Sequence, residues 1–430
     1  MGYFGTDGIR KKANFFTTDF IDRFAGALYA SFGKGNYVIA RDPRISGNQI
    51  EKDLVKSLGD LGVHVTVIGM TATPILSFYV RKYRALVGIM ISASHNPADD
   101  NGLKLFDKNG YKITTEQEKE IERNIANCYS EKCREGSVCF CNSANAEYIA
   151  YLKDKIKPQL AGKAVAIDAA NGATAEVARQ LFNELNCKVR IIYDDVSGRE
   201  INKNCGAMHP ETLKEFMDKE KLQIGFSFDG DGDRVVAYVD GKMLDGDCIL
   251  EILAKDMIAE KTLIGNRVVG TVMTNLGLED MFKNIGITLE RVAVGDKNII
   301  ELMKKEGYTL GGEQSGHIVN SIYQNTGDGI LIALLLACLY YEGKIDSKKL
   351  FTQYPQILTA IRLPENQGAK KIDYDSLISK EECKTKGLHV VVRESGTEPV
   401  VRIMVQGKDI QLVKLTSEQL NEKIQGELNG

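Results

Sequence analysis

Residues 87–106, VGIMISASHNPADDNGLKLF, constrain this chain more than any other stretch. Val87 to Ile91 form an unbroken apolar run with Gly88 inside it, the pattern of a strand buried on both faces. The run stops at Ser92-Ala93-Ser94-His95-Asn96-Pro97. Pro97 cannot donate to a sheet ladder and biases Asn96 towards extended geometry, so a fixed loop follows the strand. Ser94 therefore stands just beyond a strand end, where α/β folds carry their reactive groups. Asp99, Asp100, Asn101 and Gly102 make a second turn before Lys104. A hydroxyl, an imidazole (His95) and an ammonium thus fall on one loop, enough for a nucleophile and two proton handlers. The plainer reading is a capped turn with a solvated serine and a structural histidine, and this stretch alone does not separate the two.

The surrounding pattern is alternation. Phe20, Phe24, Leu28 and Phe32 recur at helical spacing, Tyr37 to Ala40 read as a strand, and Ile50, Leu54, Leu58 and Leu61 mark a second helix. Val63 to Ile68 follow as a strand, and Thr73-Pro74 open a helix. Strand and helix taking turns predicts a mixed or parallel sheet with crossover helices. The rhythm restarts near Leu160, with strands at Val165–Asp168, Val189–Ile192 and Ile224–Phe228, and again near Val268. Each round ends a strand in a polar loop. At 430 residues the chain exceeds a single core, and the expected units are 1–150, 151–250, 251–360 and 361–430.

Charge and hydropathy narrow the function. The net charge is −3 with no basic block, which argues against nucleic acid or an anionic membrane as main partner. The longest apolar run, Ile330 to Tyr341, is too short to span a bilayer and reads as a buried helix. The first residues form no apolar signal region, and nine cysteines in such a chain suit reduced thiols, so a cytoplasmic location is expected. Cys128, Cys133, Cys139 and Cys141 lack the paired C-x₂-C spacing of a zinc site.

Asp229-Gly230-Asp231-Gly232-Asp233-Arg234 is the sharpest chemical signal. Residues two apart share a face of an extended segment, so three carboxylates point one way and repel unless a cation neutralises them. An oxygen-only set with few ligands suits Mg²⁺, which keeps water and phosphate in its shell. An EF-hand reading fails, because Arg234 stands where that loop needs glycine and Asp240 where it needs glutamate. Arg234 beside a metal suits a phosphoryl group. Gly5, Gly8 and Arg10 in FGTDGIR offer close backbone approach and a bidentate phosphate contact. Arg393, Ser395, Gly396, Thr397 and Arg402 combine hydroxyls, turn amides and guanidiniums, the makings of an anion nest. Glu313, Ser315 and His317 sit on a glycine-flanked loop that could read sugar hydroxyls.

Together these loops resemble the α-D-phosphohexomutase superfamily over essentially the whole chain. The match lies in FGTDGIR (4–10), SASHNP (92–97), DNGLK (100–104), DGDGDR (229–234), GGEQSGH (311–317) and RESGTEPVVR (393–402). The first, second and fifth look most like the bacterial phosphoglucosamine mutases within it. The resemblance implies four domains around a central cleft, three α/β mixed-sheet domains and a smaller C-terminal α+β domain. It implies that Ser94 is phosphorylated and that Asp229, Asp231 and Asp233 hold Mg²⁺ with it. It implies that Glu313 and Ser315 read the sugar and that Arg393, Ser395, Gly396, Thr397 and Arg402 grip its phosphate, and Arg234 and His317 join them as substrate-binding candidates from their own loops. The activity implied is interconversion of glucosamine 6-phosphate and glucosamine 1-phosphate through a bound 1,6-bisphosphate, with a glucose or glucosamine 1,6-bisphosphate as activator. The partner is a small sugar phosphate, with a homodimer left open. Arg10, Lys104 and His95 stay unranked as proton handler or charge stabiliser. A phosphoglucomutase or phosphomannomutase, a magnesium-dependent sugar phosphatase and a non-catalytic sugar-phosphate sensor are the competing readings. Three positions depart from the family pattern: Lys11 for glycine, Lys297 for arginine, and Glu394 inside the phosphate loop.

Overall fold

In the computed structural model, the described residues are 2–5, 7–126, 136–363, 383, 387–394 and 400–429. Ser395, Gly396 and Thr397 lie outside them, as do Cys128 and Cys133.

The first unit is a six-stranded mixed sheet. Its strands are β1 (Ile9–Lys12), β2 (Asn36–Arg41), β3 (His64–Met70), β4 (Val87–Ile91), β5 (Asp100–Asp107) and β6 (Val138–Phe140), in the order β1-β5-β4-β2-β3-β6. β2, β3, β4 and β6 pair in parallel, while β5 runs antiparallel to both β4 and β1. Every residue of β4 is buried, as its apolar run requires. Helices α1 (Thr18–Phe32), α2 (Gly47–Asp60), α3 (Thr73–Tyr83), α4 (Thr115–Ala126) and α5 (Ala144–Ile156) surround it. α1 starts where the Thr17 hydroxyl accepts from the Phe20 amide, and it ends at Gly33, whose φ of 77° closes the helix. Phe20, Phe24 and Leu28 are its buried stripe.

The second unit has β7 (Ala164–Asp168), β8 (Lys188–Ile192), β9 (Ile224–Phe228), β10 (Val235–Val239) and β11 (Lys242–Leu244), ordered β11-β10-β9-β7-β8. Its helices are α6 (Thr174–Glu184), α7 (Glu211–Glu220) and α8 (Gly246–Ala259). The third has β12 (Arg267–Thr271), β13 (Thr288–Val292), β14 (Leu310–Gly312) and β15 (Ile318–Asn320), ordered β13-β12-β14-β15, with α9 (Leu276–Asn284), α10 (Asp296–Glu306) and α11 (Gly329–Tyr341). The last is an antiparallel sheet of β16 (Gln356–Arg362), β17 (Leu388–Glu394) and β18 (Val400–Gly407), with β18 central, covered by α12 (Ile410–Asn429).

One core runs through the first three units, from Val38 and Met90 through Ile167 and Phe226 to Leu250 and Leu334, whereas the last unit closes its own core on Val401, Ile403 and Val413. The join is made by α8 and α11. α11 is apolar all round and packs on β9 and β10, while α8 touches both β10 and β14. Positions 150, 250 and 360 fall inside α5, α8 and β16, so neighbouring units share elements at each junction.

The recurring polar loops have one structural meaning. Each connects two antiparallel neighbours: β4 to β5 (92–99), β9 to β10 (229–234), β14 to β15 (313–317) and β17 to β18 (395–399). In each of the first three units the loop leaves the end of a strand from the sheet interior.

Candidate active site

Ser94 occupies the left-handed region at φ 52° and is fully buried at the join of the first two units. Its Oγ donates to Asp229 Oδ2 at 2.6 Å, and His95 Nδ1 lies 3.4 Å away. The Ser94 amide donates to the Ser92 hydroxyl, which donates to Asp42. Asp42 also accepts from Nε and the amide of Arg44. Arg44 is completely buried, and its remaining donors reach the carbonyls of Ser94, Asn96, Pro97 and Asp100.

The acidic loop differs from its sequence reading in one respect. Residues 229–234 form a turn, not an extended segment, with Gly232 at φ 72° and its amide bonded to the Asp229 carbonyl. The turn, rather than strand alternation, brings the three carboxylates together, with one oxygen of each within 4.8 Å of the others. Lys104 Nζ lies 2.7 Å from Asp231 Oδ2, 2.9 Å from Asp233 Oδ2 and 3.1 Å from Asp7 Oδ2. The Thr73 hydroxyl also donates to Asp231 Oδ2. These contacts leave Asp231 Oδ1 and Asp233 Oδ1 buried with no hydrogen-bond partner among the described residues. Two orphaned carboxylate oxygens beside Asp229 are a donor set that fits a hard divalent cation such as Mg²⁺.

The electrostatics follow from burial and charge crowding. Burial, with Asp233 and Asp231 adding, pushes the Asp229 carboxyl up to about 8. Burial alone would lower Lys104, but Asp231, Asp233 and Asp7 hold it charged. Burial, then Arg234 and Arg10, drives His95 down to about 3, so its imidazole is neutral at physiological pH. Asp7 pairs with Arg10, Lys104 and Lys112, and Lys112 pairs in turn with Asp296 at the start of α10. His317 stands 3.4 Å from Asp296 and 3.8 Å from Asp233, and these carboxylates raise it against its burial.

These groups border a cleft of about 690 Å³, to which Arg10, His95, Arg234, Glu313, His317 and Arg402 contribute. Nε of both Arg10 and Arg234 is buried without a partner among the described residues, an arrangement ready for an anion. Glu313 accepts from the Gly295 amide at 3.1 Å, and Ser315 is exposed on the same loop. Arg393 and Arg402 face each other directly across β17 and β18. Burial and then Arg402 lower the Arg393 guanidinium, against Glu313, which raises it.

The cleft therefore gathers arginines from the first, second and last units, and the buried Ser94 and carboxylate cluster adjoin it through His95 and Asp233. Four family descriptions match in order: phosphoglucomutase/phosphomannomutase alpha/beta/alpha domain I over residues 1–132, domain II over 146–242, domain III over 245–357, and the C-terminal domain over 340–423. The chain belongs to the phosphoglucomutase/phosphomannomutase family. Among the members it resembles are the phosphoglucosamine mutase of Thermotoga neapolitana, 40% identical, and that of Clostridium novyi, 38% identical, each with 99% of both chains covered. Among solved structures of the family fold, a putative phosphomannomutase from Thermus thermophilus superposes with a TM-score of 0.78 at 25% identity, covering 99% of both chains. Aspergillus fumigatus N-acetylphosphoglucosamine mutase, solved with GlcNAc-6P and magnesium, superposes with a TM-score of 0.68 at 17% identity, covering 99% of this chain and 95% of that one.

Six residues of this site escape a reading of motifs. Arg44, Thr73, Lys112, Asn202 and Asp296 act through contacts with distant parts of the chain, so their own neighbours in sequence announce nothing. Asp7 had a signal, since it lies inside FGTDGIR next to the glycine that shapes the loop.

Proposed function

We propose that this enzyme interconverts glucosamine 6-phosphate and glucosamine 1-phosphate, with Ser94 as the phosphoryl carrier. The observation that carries the reading is the meeting of Ser94 Oγ with Asp229 beside the orphaned oxygens of Asp231 and Asp233. Full-length identity near 40% to phosphoglucosamine mutases supports the choice of sugar.

In the cycle, the phosphoryl group on Ser94 passes to the free hydroxyl of the sugar phosphate. The bond from phosphorus to Ser94 Oγ breaks as a bond to the sugar oxygen forms, giving the 1,6-bisphosphate. The bisphosphate turns over, and Ser94 recovers the other phosphoryl group. Asp229, Asp231 and Asp233 would hold Mg²⁺, which would supply neutralisation of charge on the transferring group, the main requirement of a loose phosphoryl transition state. Arg10 and Arg234 meet the same anionic oxygens through their unpartnered Nε groups. Lys104, kept charged by three carboxylates, stabilises charge rather than accepting a proton. His95 lies 3.4 Å from Ser94 Oγ, but an imidazole pushed down to about 3 is a weak proton acceptor, so it serves as a neutral polar neighbour of that oxygen. Arg393 and Arg402, with Ser395, Gly396 and Thr397, hold the non-reacting phosphate, whose dianion relieves the arginine repulsion. Glu313, Ser315 and His317 face the sugar hydroxyls.

The test is a mutase assay comparing glucosamine, glucose and mannose 6-phosphates, each with catalytic 1,6-bisphosphate. Glucosamine 6-phosphate should give the highest kcat/KM. A preference for glucose or mannose would reassign the sugar, and release of inorganic phosphate as main product would make the enzyme a phosphatase.

A further inference from the structure

We infer that the side-chain amide of Asn202 is a positioning device that locks the Ser94 loop of the first unit to the acidic loop of the second, and so sets the reach from Ser94 Oγ to Asp229. The inference rests on the reading of Ser94 as phosphoryl carrier.

Asn202 lies in the second unit, on the segment between β8 and α7. Its Nδ2 donates across the unit boundary to the carbonyl oxygens of Ser94 at 2.8 Å and Asn96 at 3.1 Å. The same two carbonyls accept from Arg44 Nη2 on the other side, at 3.0 and 2.7 Å. Both acceptors are thus gripped twice, once from within their own unit and once from the neighbour. The grip has a reason. A serine at φ 52° holds a sparsely populated backbone conformation, which persists only where the surroundings over-determine it.

Asn202 is itself anchored. Its amide donates to the Ala170 carbonyl at 2.9 Å, and its own φ of 59° suits asparagine or glycine. The acidic loop packs against the same spot: a Cβ on Gly230 would stand 2.7 Å from both Asn202 Nδ2 and the Ser94 carbonyl. The Asn202 side-chain amide, the Gly230 backbone and the Ser94 carbonyl therefore meet at one point, which ties the residue carrying the nucleophile to the glycine flanked by Asp229 and Asp231. Of the side chains that tolerate this backbone, only asparagine supplies an N–H to two carbonyls; aspartate would aim a carboxylate at them.

Two variants test the assignment. Asn202→Gly keeps the backbone conformation and removes the amide, while Asn202→Asp keeps the shape and removes the donors. Each is prepared full length with ³²P on Ser94, mixed with glucosamine 6-phosphate, and followed by rapid quench. Transfer of label to sugar should slow about 10- to 100-fold in both variants, as for a nucleophile displaced by a fraction of an ångström. The KM for sugar phosphate and the Mg²⁺ affinity of Asn202→Gly, read by calorimetry, should stay within about twofold of wild type, since Asn202 touches neither group. Wild-type transfer rates in both variants overturn the assignment. So does a slowing in Asn202→Gly matched by an equal loss of Mg²⁺ affinity, which makes Asn202 a support of the acidic loop alone. Wild-type protein that passes no label from Ser94 to sugar overturns the carrier reading itself, a failure visible before either variant is made.

Discussion

Gly230→Ala puts the central geometry under direct strain. The added Cβ would lie 2.7 Å from the Ser94 carbonyl oxygen and 2.8 Å from Ile201 Cδ1, against about 3.4 Å for an ordinary contact. The side chain of Ile201 can rotate away, but the Ser94 carbonyl cannot, because Arg44 and Asn202 hold it. The two loops must therefore part by about 0.7 Å at this point. Ser94 Oγ now stands 2.6 Å from Asp229 Oδ2, so that opening falls between the phosphoryl carrier and the candidate cation site. Misplacement of this size costs about 10²-fold in rate, while overpacking costs about 1–3 kcal/mol of stability, which a fold of this size survives. A coupled assay with saturating glucosamine 6-phosphate, beside a thermal melt, reads both. The expected result is a folded protein whose kcat falls by one to two orders of magnitude. A folded Gly230→Ala enzyme with wild-type kcat would refute the claim that the two loops are held in contact for catalysis.

Asp231→Asn removes a charge shared by the candidate cation site and Lys104, and should weaken Mg²⁺ binding by roughly tenfold or more in a calorimetric titration. Full wild-type activity after rigorous chelation would show that the carboxylates serve another purpose. Arg402→Ala removes one charge-assisted phosphate contact, about 1.5–3 kcal/mol, or about 10- to 150-fold in kcat/KM. It should also raise the ratio of released bisphosphate and inorganic phosphate to product, and an unchanged ratio with unchanged kcat/KM would move the phosphate clamp elsewhere. Asp168 offers a pH test: burial pushes its carboxyl from 3.8 up to about 6, against donors from Ala170, Gly206 and Thr212. Its folded pKa is raised, so its contribution is fully present below pH 3.8 and is lost as pH rises through 6. Urea melts near pH 4 and pH 7 should show Asp168→Asn gaining on wild type by about 3 kcal/mol at the higher pH, and an equal difference at both would contradict the raised pKa.

What could be read from the chain in advance follows from where information is local. β4 is legible because a strand buried on both faces reads as an apolar run, and β9 nearly so, with Ser227 as its one polar residue. α1 and α11 are legible because their burial dictates a stripe in one and an all-apolar surface in the other. The reactive loops are legible because polar clusters stand out where apolar strands end, Ser94 and His95 after β4 and Asp229, Asp231 and Asp233 after β9. β6 is not, since its three residues are exposed and carry no alternation. Three-residue β14 and β15 are too short to show a period. The convergence of Asp229, Asp231 and Asp233 was visible because the intervening glycines let the segment curl, and the turn at Gly232 is where it does so. Arg44 sits in plain view in RDPRISG, yet its targets are carbonyls more than fifty positions away, and backbone acceptors have no letter in a sequence.

The central claim is that the phosphoryl group resides on Ser94 and passes from there to sugar. A chase of enzyme labelled with ³²P on Ser94 by unlabelled glucosamine 6-phosphate tests it in one turnover. The account predicts that label leaves the Ser94 peptide and appears first in a sugar bisphosphate and then in sugar monophosphate, with Ser94→Ala neither labelled nor active. Label that stays on the protein while product forms, or that leaves as inorganic phosphate, would contradict it.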